Sequence, residues 1–343
     1  MLRRVATRRT ARVRLPIALL AATLLASLSG CGLLGGSDDQ STSGGGGGTG
    51  AVEKAKIRVG MLPVVDVAPF YRAIEQGYFK EQGLDIDPVV QPNGGQVVNS
   101  TVGGDLDVGF ASYPAPLAAQ SKKTGDLKII ADGLAAKPGH IVVVSPPNSP
   151  LKKPTDAPGK KIAISARNTM TDMAPMSVLK TQGVDYTQVQ FVEMSLPEMI
   201  PAMQKGLVDG AVVVEPWVTI AEKQLGAVPV FDCASGPTAE MPMSGYFTTA
   251  KFAAANPKTV AAFQRGLAKA QAEATDRSKM EPMFVKYAKV DEQTAKLVTI
   301  STYSTSLEAN RIQRVANLMQ EFQVIKGNLD VSSMIVSSPS SNK

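Results

Sequence analysis

The chain of 343 residues carries 36 lysines and arginines against 30 aspartates and glutamates, with one histidine, His140, and two cysteines. Six arginines among the first fourteen residues account for the whole positive excess, so the chain from Cys31 onward is neutral. A neutral chain with 5% aromatic residues has neither a basic stripe nor a stacking platform, which argues against nucleic-acid binding. So few histidines and cysteines leave no zinc ligand set, and we expect neither a metal site nor a cofactor.

The first thirty residues have the layout of an export signal. Arginines up to Arg14 precede an apolar run over 15–28, which is shorter than the roughly 20 residues that span a bilayer. The segment Leu28-Ser29-Gly30-Cys31 is similar to the bacterial lipobox, which implies cleavage before Cys31 and acylation of that cysteine. We therefore expect residues 1–30 to be a signal peptide and the protein to be lipid-anchored on the extracytoplasmic face of the cell membrane. The arginine pairs leave the general secretory and the twin-arginine routes both open.

A tether is expected next, because residues 31–55 are rich in glycine and serine, a composition typical of flexible linkers.

Beyond the tether, strand and helix patterns alternate along the chain. Strands are predicted at 57–61, 84–90, 107–111, 127–131, 141–144, 161–165, 189–192 and 211–214. Helices are predicted at 68–80, after 94, and at 115–122, 170–182 and 196–205, and the chain is largely helical after 249. Short connections between alternating strands and helices predict mostly parallel sheets with helices on both faces.

About 290 residues exceed the usual size of one hydrophobic core, so two lobes are expected. The proline-rich stretch 146–158 separates the two strand–helix series. We assign 56–138 and 248–335 to lobe I, 139–247 to lobe II, and 336–343 to a tail. The late helices are expected to return onto lobe I. Two chain crossings, near 136–140 and 243–249, would then form a two-strand hinge.

Candidate ligand contacts in lobe I follow its predicted strands, because doubly wound sheets bind ligands beyond the carboxyl ends of their strands. Asp66 follows the first strand, at the start of a helix. Asn93 and Gly94 follow the second strand, and Ser112 and Tyr113 follow the third. Ser112 would place a hydroxyl, and Tyr113 an aromatic ring, at the edge of a cleft between the two lobes.

Candidate contacts in lobe II suit an anion. Arg167, Asn168 and Thr169 precede a helix, so a fixed cation, an amide and helix N-terminal dipoles would meet there. Alternatively, they form an ordinary capped helix with Arg167 in solvent. Glu215 and Trp217 follow a later strand, and Trp217 is either a stacking wall for the ligand or a structural tryptophan.

Several motifs occur in a fixed order along residues 56–270. They are Asp66-Val-Ala-Pro-Phe-Tyr-Arg-Ala-Ile-Glu-Gln-Gly-Tyr-Phe-Lys-Glu-Gln-Gly-Leu-Asp85, Gly104-Asp-Leu-Asp-Val-Gly-Phe110, Gly159-Lys-Lys-Ile-Ala163, Gly206-Leu-Val-Asp-Gly-Ala211 and Glu215-Pro-Trp217. In these motifs the chain resembles the periplasmic solute-binding proteins of the nitrate/sulfonate/taurine and thiamine-precursor (SsuA/THI5-like, NMT1-like) type. The resemblance implies an α/β type II periplasmic-binding-protein fold, with two doubly wound lobes joined by a two-strand hinge. It also implies a small-molecule ligand between the lobes and an ABC permease and ATPase as partners.

These features together predict a monomeric solute-binding lipoprotein of an ABC importer. An organic sulfonate, taurine or a nitrate-like anion is the favoured ligand, and a thiamine-precursor pyrimidine or other heterocycle is the alternative. Some relatives of this fold are enzymes, a desulfinase and a pyrimidine synthase, so Cys233 and His140 are candidate catalytic groups. No set of nucleophile, base and orienting group accompanies them, so no enzyme activity is expected. The sequence also leaves open that the protein presents its ligand to a membrane sensor instead of a permease.

Overall fold

The computed structural model describes residues 51–337. The signal peptide, Cys31 and most of the expected tether lie outside this range. Strands in chain order are β1 (Lys56–Met61), β2 (Asp85–Val90), β3 (Val108–Ser112), β4 (Leu127–Asp132), β5 (Leu134–Ala135), β6 (Ile141–Ser145), β7 (Lys161–Ile164), β8 (Gln190–Glu193), β9 (Gly210–Val214), β10 (Val228–Asp232), β11 (Ser244–Thr249) and β12 (Thr302–Tyr303). Helices in chain order are α1 (Ala68–Glu75), α2 (Tyr78–Glu81), α3 (Gly94–Gly103), α4 (Pro114–Ser121), α5 (Met170–Thr181), α6 (Leu196–Gln204), α7 (Trp217–Leu225), α8 (Ala250–Ala255), α9 (Pro257–Ala272), α10 (Arg277–Tyr287), α11 (Glu292–Leu297) and α12 (Ala309–Glu321).

Two five-stranded sheets organise the chain into two lobes. The lobe I sheet has the order β2-β1-β3-β11-β4, and the lobe II sheet has the order β10-β6-β9-β7-β8. In each sheet one strand, β11 or β6, runs antiparallel to its neighbours. The inner strands β6 and β9 are nearly continuous runs of buried valine and isoleucine, as expected where helices cover both faces of a sheet.

The predicted helix 68–80 is two helices. Gly77 adopts a positive φ of 73°, a backbone conformation that glycine takes without steric penalty, and this breaks the chain between α1 and α2. The apolar pattern continues across the break because both helices pack on α9.

The hinge consists of two paired segments between the lobes. The amide of Ala136 donates to the carbonyl of Met241 at 2.8 Å, and the amide of Met243 donates to the carbonyl of Leu134 at 2.8 Å. A bridge between Ala135 and Pro242 completes the antiparallel pair.

The lobe boundaries differ from the expected ones in three places. The expected break between 247 and 248 falls inside β11, all of which lies in the lobe I sheet. The amide of Val336 donates to the carbonyl of Ile129, so the chain at 336 is still part of lobe I. At the other end, the Glu53 carboxylate caps the N-terminus of α9, so the fold begins within the expected tether.

The late helices do not cover lobe I alone. Helices α9 and α10 pack on α1 of lobe I, as expected. Beyond them, however, Lys223 of α7 lies 3.1 Å from Asp291, and Lys180 of α5 lies 2.7 Å from Glu321. The segment 291–301 and helix α12 therefore contact both lobes. Within residues 51–337, no helix combines the length and the apolar character needed to cross a membrane.

Candidate functional site

The carboxyl edges of the two sheets face each other. Strand β4 ends and β11 begins at the carboxyl edge of the lobe I sheet, and the first crossing leaves from there. In lobe II, β10 ends and β6 begins at the carboxyl edge, because β6 is antiparallel to β9 and β10 is antiparallel to β6. Both crossings thus join one carboxyl edge to the other. The loops after β1, β2 and β3 and those after β7, β8 and β9 consequently line one cleft.

The loop after β2 is held by a helix cap. Exposed Asn93 accepts a hydrogen bond from the Gln96 amide through its side chain and so caps α3. Gly94 lies against β3, where a Cβ would come within 3.2 Å of the Ala111 methyl group. Ser112, half-buried, ends β3 beside this loop. These three candidates therefore share one part of the lobe I edge.

Asp66 lies in the turn after β1, at the hinge end of the cleft. Its side chain is 16% exposed, and its Oδ1 lies 4.0 Å from Nε2 of His140. Burial raises the pKa of the Asp66 carboxyl from 3.8 to about 7. An acidic group with such a pKa near neutrality is typical of functional sites.

Tyr113 is directed into the protein rather than to the open cleft. Its hydroxyl donates to Asp132 Oδ1 at 2.7 Å, and the ring is buried. Arg311 of α12 contacts the other oxygen of Asp132 at 3.0 Å. Burial is the largest cause of the raised pKa of the Asp132 carboxyl, although both partners act in the opposite direction. The ring predicted at the cleft edge is thus part of a buried network beneath that edge.

The predicted anion site in lobe II is occupied by the protein's own carboxylates. Arg167 Nη1 contacts Asp172 Oδ1 at 3.2 Å, and Nη2 donates to the Phe191 carbonyl at 3.1 Å. The amide of Asn168 donates to Asp172 at 2.9 Å, and the amide of Arg167 donates to Glu193 at 3.1 Å.

Thr169 directs its hydroxyl to the Ala166 carbonyl, so this loop is an internally satisfied helix start, as in the alternative interpretation.

Glu215 forms internal contacts through both carboxylate oxygens. Oε1 accepts from the Thr299 amide at 2.8 Å and from the Thr219 hydroxyl at 3.0 Å, and Oε2 accepts from the Thr219 amide. The residue is 1% exposed. It therefore joins the start of α7 to the 291–301 segment. Trp217, half-buried, is the first residue of α7 and packs partly against the lobe II core.

His140, which the sequence places near the hinge, is not among the predicted ligand contacts but lies at the hinge end of the cleft. His140 is buried, and its Nδ1 lies 2.6 Å from the Ser301 hydroxyl. Burial lowers the pKa of its imidazole from 6.5 to about 4, so the ring is neutral at physiological pH. Asp132 was also missed, although it directly follows the predicted strand 127–131. The rule that ligand contacts lie beyond the carboxyl ends of strands, which identified Asp66, applies to it equally. Ser301 and Arg311 come from the helical C-terminal part, where no local sequence signal points to a site.

Cys233 does not have the environment of a reactive thiol. It is fully buried in the hydrophobic core, and burial raises the pKa of its thiol well above the ordinary value. Within residues 51–337, no three histidine, cysteine, aspartate or glutamate side chains are grouped so that they could hold a metal ion.

Comparisons with known proteins agree with this architecture. A family model described as NMT1/THI5 like matches residues 64–279. The taurine-binding periplasmic protein of Escherichia coli K12 is 28% identical over 195 residues, covering 57% of this chain and 59% of the relative. The formylaminopyrimidine-binding protein of Halalkalibacterium halodurans is 25% identical over 198 residues, covering 57% of this chain and 54% of the relative. The chain thus spans a little over half the length of these curated relatives.

The similarity to solved structures extends further along the chain. The periplasmic aliphatic sulphonate binding protein SsuA of Escherichia coli superposes with a TM-score of 0.71 at 19% identity, covering 82% of this chain and 98% of that one. At this identity the match shows the fold alone, and it confirms the expected type II periplasmic-binding-protein fold. Because the family model covers more than half of the chain, this protein belongs to the NMT1/THI5-like family.

Proposed function

We propose that this protein is the solute-binding component of an ABC importer. It captures a small ligand between its lobes and delivers it to the permease. One observation carries the proposal: the carboxyl edges of two doubly wound sheets face each other and are connected by two chain crossings that pair as a short antiparallel hinge. Ligands of such sheets lie beyond the carboxyl edge, and rotation about a hinge buries them.

The relatives support a class of ligand for this protein. Proteins named for binding taurine, an aliphatic sulphonate and formylaminopyrimidine support a small polar organic molecule. We favour an organic sulfonate of the taurine kind or a nitrate-like anion, and we retain a thiamine-precursor pyrimidine as the second candidate because one relative is named for such a ligand. Catalysis is not part of the proposal. The relatives named above are binding proteins, and burial raises the pKa of the Cys233 thiol, which is the opposite of what an activated nucleophile requires.

The cellular location is part of the same proposal. The lipobox-like segment ending at Cys31 supports a lipid anchor on the extracytoplasmic face of the cell membrane. A monomer bound to the membrane through its N-terminus would present its cleft to the permease, which works with a cytoplasmic ATPase.

A thermal-shift titration of the unlipidated chain from residue 32 tests the binding function. The probes are taurine, an alkanesulfonate, nitrate and 4-amino-5-hydroxymethyl-2-methylpyrimidine. A ligand present at 100 times its Kd stabilises the folded state by about 2.7 kcal/mol, which raises Tm by roughly 4–5 °C in a protein of this size. Mass spectrometry of the recovered probe should show it unchanged, since conversion would indicate an enzyme. The proposal fails for these ligand classes if no probe raises Tm.

A further inference from the structure

A carboxyl group without a cationic partner lies at the hinge end of the cleft. Within residues 51–337, no lysine or arginine nitrogen lies within 4.0 Å of the Asp66 carboxylate, and the nearest titratable nitrogen is Nε2 of His140. His140 does not supply the missing charge, because its imidazole is buried and neutral at physiological pH. An ionised carboxylate that is mostly buried and unpaired is costly, and a positive ligand group would compensate it.

The other groups around Asp66 are also neutral. The pKa of the Tyr303 phenol is raised first by burial and then by the negative charge of Asp66. The pKa of the Tyr246 phenol is raised first by burial, then by Tyr303 and then by Asp66. Tyr303 belongs to β12 and Tyr246 to β11, and His140 belongs to the first crossing. Three elements thus bring hydrogen-bonding groups that carry no charge near the carboxyl.

Ser244 adds a hydroxyl that no protein group satisfies. Its Oγ is buried without a hydrogen-bond partner, and the residue is 3% exposed. Ser244 is the first residue of β11, at the carboxyl edge of the sheet. Because alternate residues of a strand point to the same face, its side chain lies on the side of the sheet that carries Tyr246. Buried hydroxyls in proteins normally have partners, so this one is available to a ligand.

Two arginines near the cleft are already paired with carboxylates. Arg167 contacts Asp172, and Arg311 contacts Asp132. The cleft therefore offers an unpaired negative group at its hinge end, whereas Arg167 and Arg311 are paired with carboxylates.

We propose that the ligand carries a positively charged nitrogen, which the Asp66 carboxylate binds, with Ser244 as a hydrogen-bond acceptor beside it. This inference rests on the proposed solute-binding function and narrows it. Taurine, with its ammonium group, and aminopyrimidines that are protonated when bound meet the requirement. Nitrate and alkanesulfonates without an amine do not.

Isothermal titration with two matched probe pairs tests the inference. The first pair is taurine and isethionate, in which a hydroxyl replaces the ammonium group. The second pair is 4-amino-5-hydroxymethyl-2-methylpyrimidine and its 4-hydroxy analogue. At pH 8, we expect the amine-bearing member of at least one pair to bind at least tenfold more tightly than its partner. Asp66→Asn should remove that preference, lowering the affinity for the amine-bearing probe at least tenfold and changing the other by less than threefold.

Two further variants complete the design. Asp105→Asn removes the same charge from an exposed turn of lobe I and should leave all affinities unchanged. Ser244→Ala should lower affinity for the amine-bearing probe without lowering the stability of the free protein, since the hydroxyl has no partner there. Equal binding within both pairs, or unchanged binding by Asp66→Asn, overturns the inference and leaves the solute-binding function standing. Absence of binding by all four probes counts against the proposed function, and the inference fails with it.

Discussion

Replacing Asp66 by asparagine should stabilise the free protein at alkaline pH. The folded-state pKa of this carboxyl, about 7, lies above its ordinary value of 3.8. Between these two values the folded protein holds a proton that the unfolded chain has lost. Stability therefore falls as the pH rises through this window, and the penalty is complete above pH 7. Asparagine has a similar shape and cannot ionise, so the variant lacks the penalty.

The size of the effect follows from the interval between the two pKa values. At about 1.4 kcal/mol per pH unit, the full interval corresponds to about 4 kcal/mol. Between pH 5 and pH 8, the titration of Asp66 lowers the free energy of unfolding by about 2.5 kcal/mol. We therefore expect the stability of Asp66→Asn, relative to the unsubstituted protein, to increase by about 2.5 kcal/mol from pH 5 to pH 8.

Urea unfolding of both proteins at the two pH values measures this difference, and contributions from other titrating groups cancel in the comparison. The exposed Asp105→Asn variant serves as the control and should show the same relative stability at both pH values. A relative stability of Asp66→Asn that is also independent of pH would refute the reasoning, because the carboxyl would then be solvated in the folded state.

Three other substitutions have distinct expected outcomes. His140→Asn should make stability less sensitive to acid, by about 2.5 kcal/mol between pH 7 and pH 4.5 in urea unfolding, because the buried imidazole with its pKa of about 4 must otherwise gain a proton on unfolding. Arg167→Ala should change the Kd for taurine, measured by isothermal titration, by less than threefold, because the guanidinium is already bound within the protein. Gly245→Ala should lower the free energy of unfolding by about 1–3 kcal/mol, since the added methyl group would meet the ring and hydroxyl of Tyr113.

Each of these expectations has an outcome that contradicts it. An unchanged acid sensitivity in His140→Asn would mean that the imidazole is hydrated in the folded protein. A tenfold loss of taurine affinity in Arg167→Ala would show that the loop after β7 rearranges to expose its cation. Unaltered stability of Gly245→Ala would mean that Tyr113 has room to move away from β11.

The fold could be predicted from local patterns because the two strand–helix series are regular. Buried valine runs and short connections specify parallel strands with helices on both faces, and the predicted strand bounds agree with the observed ones to within a few residues. The break at Gly77 was missed because the apolar face continues through it. The boundary inside β11 was missed because a strand that returns to the first sheet has no sequence feature distinguishing it from one that stays in the second.

The candidate site was predictable only as a set of strand ends. The rule that ligands lie beyond carboxyl ends placed Asp66, Asn93 and Ser112 at one edge without any tertiary information. The rule could not show that the Glu215 carboxylate accepts hydrogen bonds from Thr219 and Thr299, or that Arg167 pairs with Asp172. Such contacts depend on residues distant in sequence or on loop geometry. Spacing along the chain carries no information about which polar groups neutralise one another.

The first described residues determine how the protein can be attached to a surface. Glu53 caps α9, and Lys54 lies 2.7 Å from Asp107, so the chain enters the fold at the amino edge of the lobe I sheet. This edge is opposite to the one that borders the cleft. A linker or biotin tag placed before residue 51 would immobilise lobe I by its far end and leave lobe II unhindered. The same geometry suits a fluorescent sensor, with one dye on each lobe and the support attached where it does not obstruct the ligand.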